Sequence, residues 1–186
     1  MDDDINALES YGWAARSMEF RAAAYMEMGG LYLKGSELKK AQDYLLKSLR
    51  FNADNLQAKH LLAVVLRKSG EIQAARELLE EISDIDPLNH LANYELDVVN
   101  GKELKFGAKI QSELKYQSFL EIALWYNRYG LVDEAMQVLD QSPDHPLILV
   151  WSAYLDRAHT DRSSSIVKNL LEASAEFVFP YRPETL

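Results

Sequence analysis

The feature that most constrains this chain is an internal repeat. From Ala22 the sequence places Ala22, Tyr25, Met28, Gly29 and Tyr32 ahead of a break at Gly35, and Leu38, Ala41, Leu45 and Ser48 behind it. From Leu56 it places Leu56, Lys59, Leu62, Ala63 and Leu66 ahead of Gly70, and Ile72, Ala75, Leu79 and Ile82 behind it. Apart from the break glycine, which slips by one place, the two series match at an offset of about 34 residues. A unit of this size cannot bury its apolar face alone, so it must stack on its neighbours.

Within each unit the apolar positions recur three and four residues apart, which is the helical period, and a glycine separates two such stretches. Each unit therefore reads as a pair of antiparallel helices. Gly29 and Ala63 in the first helix, and Ala41 and Ala75 in the second, are small enough to let the two axes approach closely. With only 8 Gly and 5 Pro in 186 residues and a hydrophobic fraction of 48%, the chain has the composition of helices joined by short turns around a continuous core. The expected fold is all-α, an α-α superhelix of about ten helices. Gly35, Gly70 and Gly130 are expected at hairpin turns. Asp54 with Gln57 reads as a capping box, Asp86-Pro87 as an N-cap followed by proline, and His145-Pro146 as the same arrangement again.

A third copy runs through Phe119, Ile122, Ala123, Tyr126, Gly130, Val132, Ala135 and Leu139. The expected layout is one helical-repeat domain: residues 3–16 end a preceding repeat, 22–55 and 56–89 are full repeats, and 90–115 form a short divergent pair. Residues 116–145 are the third repeat, 146–176 a weak pair and 177–186 a truncated tail. In the divergent stretch, residues 90–100 read as one helix and 103–111 as a stub, an irregularity expected to bend the solenoid and divide any groove into two short surfaces.

The pattern resembles the tetratricopeptide repeat, whose first helix carries an aromatic, then Leu-Gly, then Tyr, and whose second carries Ala, an aromatic, Ala and Pro. Leu45 and Leu79 stand where that family favours an aromatic, and the closing proline is present as Pro87 but replaced by Ala53. Pro143-Asp144-His145-Pro146 and the ending Phe177-Val178-Phe179-Pro180-Tyr181-Arg182 further resemble a group of large bacterial proteins in which a carbohydrate-related β-sandwich precedes such repeats. That resemblance implies a piece of a longer protein, and it implies, as an alternative function, a helical domain shaping the active site of a carbohydrate-related enzyme.

Chemistry of its own is not expected. Twenty Lys and Arg against 29 Asp and Glu leave a net charge of -9, which repels nucleic acid and anionic membranes. No apolar run approaches the ~20 residues that span a bilayer. Without cysteine there are no thiolate nucleophiles or Cys-ligated metals. Gly30 and Gly35 have the spacing of a phosphate loop, but the lysine that should follow Gly35 is Ser36 and Gly30 lies within a helix. His60, His90, His145 and His159 show no metal-binding spacing. Glu80-Glu81 and Asp133-Glu134 sit on outward helix faces, and Ser163-Ser164-Ser165 lacks the elbow that raises a nucleophile. No catalytic residue, metal or cofactor is expected. The compartment stays open, with the cytoplasm as default.

The expected function is a protein-interaction scaffold that binds a protein, a peptide or another domain of its parent chain, as a monomer able to self-associate weakly through its ends. In tetratricopeptide arrays the first helix of each pair lines a concave groove. The matching places make Lys34, His60, Val64, Arg67, Lys68, Leu120, Leu124, Asn127 and Arg128 the candidate contacts, with Met26 and Leu33 also on the groove floor. The lysine and asparagine of the carboxylate clamp found in some of these arrays have no counterpart here. Lys34, Arg67, Lys68 and Arg128 all fall at the same end of their helices. That alignment suits an acidic peptide, and it also arises simply because cations complement helix C-termini.

Overall fold

A computed structural model of the chain describes residues 2–101, 106–110, 114–156 and 168. The described residues form ten helices: α1 (Asp2–Ala14), α2 (Arg21–Lys34), α3 (Leu38–Phe51), α4 (Leu56–Lys68), α5 (Ile72–Ile85), α6 (His90–Val99), α7 (Phe106–Lys109), α8 (Lys115–Arg128), α9 (Val132–Leu139) and α10 (Pro146–Leu155). They contain no strand. The chain divides into two compact units, Met1–Lys109 and Ile110–Leu186, and the division falls inside the divergent stretch. The second helix of the weak pair and the tail from residue 177 lie outside the described residues.

In the first unit α2 packs on α3 and α4 on α5, and successive pairs stack through α3 on α4 and α5 on α6. First helices of neighbouring pairs also touch, α2 on α4 and α4 on α6, which gives the array its seam. The tight crossing inferred at Gly29 is real: a Cβ there would lie 2.7 Å from Leu45 Cγ. Ala41 and Leu45 are buried completely, as are Ala63, Ala75 and Leu79 at the matching places one repeat later. The aromatic contribution of the second helix comes from Tyr44, one place before Leu45. Its ring stacks on Tyr32 with 5.2 Å between centroids, and Tyr25 lies 6.0 Å from both Tyr44 and Phe51. The stub α7 is held by Phe106, whose buried ring meets the edges of His90 and Tyr94 at 5.7 and 5.8 Å.

All three hairpin turns use one backbone motif. The residue in the left-handed region is Ser36 at φ 60°, Gly70 at 83° and Gly130 at 71°. The next amide bonds back five residues, Glu37 to Tyr32, Glu71 to Leu66 and Leu131 to Tyr126, at 2.8–3.0 Å. These are Schellman caps, and they satisfy carbonyls that a helix end would otherwise leave open. The slip of the break glycine now has a structural meaning. The cap keeps its place in every repeat, Gly35 sits one residue too early at φ -79°, and Ser36 takes the conformation that glycine adopts elsewhere.

The helix starts correct part of the expected punctuation. Helix α4 is capped by Asn55, whose Oδ1 accepts from Ala58 N at 3.1 Å, and not by an Asp54–Gln57 box. Helix α6 is capped by Asn89, accepting from Ala92 N at 3.0 Å, and not by Asp86. In each case the asparagine does a second task, contacting the first helix of the preceding pair. Asn55 Nδ2 contacts Met26 Sδ at 3.7 Å, and Asn89 Oδ1 meets His60 Nε2 at 3.0 Å. One joint, repeated, thus ties α2 to the start of α4 and α4 to the start of α6. His145 caps α10 as expected, with Pro146 at its first turn.

Candidate interaction site

The nine candidate contacts separate into three groups. Val64 is completely buried, Leu120 is 1% exposed and His60 is 7% exposed, so these three belong to the core instead of an open groove. Met26 and Leu33 are buried as well. In the first unit the reason is the seam: α2, α4 and α6 touch directly, so the inward side chains of each first helix fill the space between helices. His60 donates from Nε2 to Asn89 Oδ1, which fixes the tautomer, because that oxygen can only accept. Burial pushes its imidazole pKa below the ordinary value, an effect opposed by the Asn89 hydrogen bond and the Asp86 carboxylate.

The cations of the first unit hold their own molecule together. Lys34 Nζ meets Asp4 Oδ1 at 3.0 Å, joining the end of α2 to α1. Arg67 engages Glu95 with both arms of its guanidinium, Nε to Oε2 at 2.7 Å and Nη2 to Oε1 at 3.1 Å, and the Glu95 side chain is 1% exposed. Lys68, next to it, is exposed. The positive edge anticipated from the alignment is thus tied down at Lys34 and Arg67 by internal carboxylates.

The third group does converge. Leu124, Asn127 and Arg128, all on the last two turns of α8, line an open cleft of about 600 Å³ with Glu121 and Trp125 of the same helix and with Trp151 and Tyr154 of α10. Helical spacing explains the set: residues 121, 124, 125 and 128 share one face of α8, and 151 and 154 share one face of α10. Leu124, Trp125 and Asn127 are half-buried, whereas Arg128 and Tyr154 are exposed. The rings are braced by one another. Trp125 meets Tyr126 and Tyr129 edge-on at 5.4 and 5.1 Å, Trp151 meets Tyr154 at 5.4 Å, and the Arg128 guanidinium lies 5.6 Å from the centre of the Tyr129 ring. Trp151 and Tyr154 are legible in the sequence as one stripe of the weak pair but not as partners of α8, since nothing local pairs residues about 30 positions apart.

At its other end the same pair of helices is fastened by an imidazole. The His145 ring lies flat on Tyr116 of α8, with 3.5 Å between centroids and 6° between planes, while its Nδ1 accepts from Leu147 N at 3.2 Å.

No family model matches this chain, and no curated protein does. Among solved structures it is similar to MamA, with 17% identity and a TM-score of 0.45 over 83% of this chain and 92% of that one. MamA from Desulfovibrio magneticus RS-1 shows 17% identity and a TM-score of 0.43 over 84% and 96%. The TPR-like repeats of a putative kinesin light chain from Podosopora anserina show 19% identity and a TM-score of 0.43 over 83% and 94%. These likenesses concern the fold.

Proposed function

We propose that this chain is a non-catalytic protein-interaction scaffold, and that the cleft between α8 and α10 receives an extended peptide from another protein or from its parent chain. The observation that supports this reading is the convergence of Leu124, Asn127 and Arg128 with Trp125 and Tyr154 around one open cleft, which the largely buried Trp151 also lines. Aromatic faces offer large contact area at low entropic cost, the Asn127 amide can both donate to and accept from a peptide backbone, and a guanidinium pairs with a carboxylate. The favoured ligand therefore carries a bulky apolar side chain beside an acidic residue. In the first unit four buried polar side chains are occupied in joining helices: Ser48 bonds to Ala22 O at 2.7 Å, Lys59 to Glu81 at 2.6 Å, and His60 and Glu95 as described.

The test is a fluorescence-anisotropy titration with labelled peptides that pair Leu, Pro or Phe with Asp or Glu. Tyr154→Ala and Arg128→Glu should each weaken binding about tenfold or more, in line with truncation of aromatic and arginine anchors. A ligand set with no acidic preference, or variants that bind as the parent does, would remove the cleft from the account.

A further inference from the structure

Three helices that begin after an inter-helix loop are capped by a side chain that also reaches back to an earlier first helix. At α4 and α6 that residue is asparagine, Asn55 and Asn89; at α10 it is His145, with its ring on Tyr116. Asparagine keeps its acceptor at every pH. Imidazole does not: Nδ1 accepts only while it is unprotonated, and a proton placed there turns the acceptor into a donor aimed at the Leu147 N–H. It also sets a positive charge against the positive end of the helix dipole.

We propose that His145 is a proton-operated fastener for α10, linking its first turn to the Tyr116 ring of α8 while the imidazole is neutral and letting the α10 amide go when Nδ1 is protonated. Release acts on α10, which carries Trp151 and Tyr154, while Tyr116 belongs to the helix that carries Leu124, Asn127 and Arg128. The two walls of the cleft are thus joined at a titratable point. The consequence for ligand binding rests on the peptide-docking reading above; the fastener itself does not.

The surroundings favour the neutral form. Asp144 precedes His145 and Lys115 precedes Tyr116 in the chain, and burial of the ring lowers the His145 pKa. An imidazolium does gain attraction to the Tyr116 face. That gain acts on the ring but cannot restore the bond to Leu147 N, so stacking and capping part company on acidification.

The experiment is amide hydrogen exchange by NMR on the intact chain at pH 7.5 and 5.0, with rates corrected for the intrinsic effect of pH. Protection of Leu147 and Ile148 should fall about fivefold at pH 5.0, the loss expected when a helix gives up its N-cap. Protection of Ala58, capped by Asn55, should stay constant. His145→Asn should keep the α10 amides protected at both values, and His145→Ala should leave them poorly protected at both. Equal loss at Ala58 and Leu147, no loss at Leu147, or the same loss in His145→Asn would each overturn the proposal. None of these readings involves a peptide, so a failed fastener is distinguishable from a failed cleft.

Discussion

Arg67 on α4 and Glu95 on α6 form a two-pronged ion pair at the place where the preceding repeat carries Leu33 and Leu61, both almost wholly buried. The separation in sequence is 28 residues in each case. A buried charge is costly when its partner is removed, whereas exchange of both partners for well-packed apolar groups is often neutral or better. Arg67→Ala or Glu95→Ala should therefore destabilise the first unit by about 3–5 kcal/mol. The double variant Arg67→Leu/Glu95→Leu, which copies the preceding repeat, should lie within about 1 kcal/mol of the parent or above it. Urea unfolding of the four proteins checks this. It also shows why charge reversal at Arg67 is a poor probe of binding: it would disturb the scaffold first.

Ser36 is the one non-glycine residue with positive φ among the described residues. Gly70 and Gly130 occupy the same cap without strain. Ser36→Gly should raise the stability of the α2–α3 hairpin by about 1 kcal/mol, and Gly70→Ala should lower that of the α4–α5 hairpin by a similar amount. Thermal unfolding followed by circular dichroism measures both shifts.

Gly29 has the opposite constraint, one of space. A methyl group on its Cα would lie 2.7 Å from Leu45 Cγ, which leaves no room for alanine unless Leu45 or the whole of α3 shifts. Gly29→Ala should cost about 1–3 kcal/mol despite its better helix propensity, and Gly29→Ala/Leu45→Ala should recover less than the clash because a cavity replaces it. Ala63→Gly, in the repeat that already accommodates a methyl group, should cost only about 1 kcal/mol.

What the sequence disclosed and what it hid follow from one distinction. The period, the helix pairs and the close contacts at Gly29 and Ala63 are written in side-chain size at fixed spacing, and packing reads that directly. The joints are not local. Asp54 and Asp86 look like better caps than their neighbours until Met26 and His60, each 29 residues away, are seen to engage Asn55 and Asn89. Arg67 and His60 look like groove side chains for the same reason. Comparison with Leu33 and Met26 one repeat earlier is the available signal that those places face a neighbouring helix.

Acid should weaken the fold in a defined window. His60 and His145 both have pKa values lowered by burial, so the unfolded chain takes up protons first as pH falls. Stability should be fully present above about pH 6.5, decline as pH falls through that ordinary imidazole value, and stop declining once the folded-state histidines are protonated too. His60→Met, which restores the residue of the preceding repeat, and His145→Asn should each flatten part of the decline. Urea midpoints between pH 7.5 and 4.5 give the comparison.

The most direct test of the central claim is an NMR map of the peptide contact. Amide shifts recorded while an apolar–acidic peptide is titrated into the labelled chain should change at Leu124, Asn127, Arg128, Trp151 and Tyr154, and the changes should vanish in Tyr154→Ala with the remaining spectrum intact. Shifts confined to α2 and α4, or changes at the cleft that survive Tyr154→Ala unaltered, would contradict the claim that α8 and α10 form the docking surface.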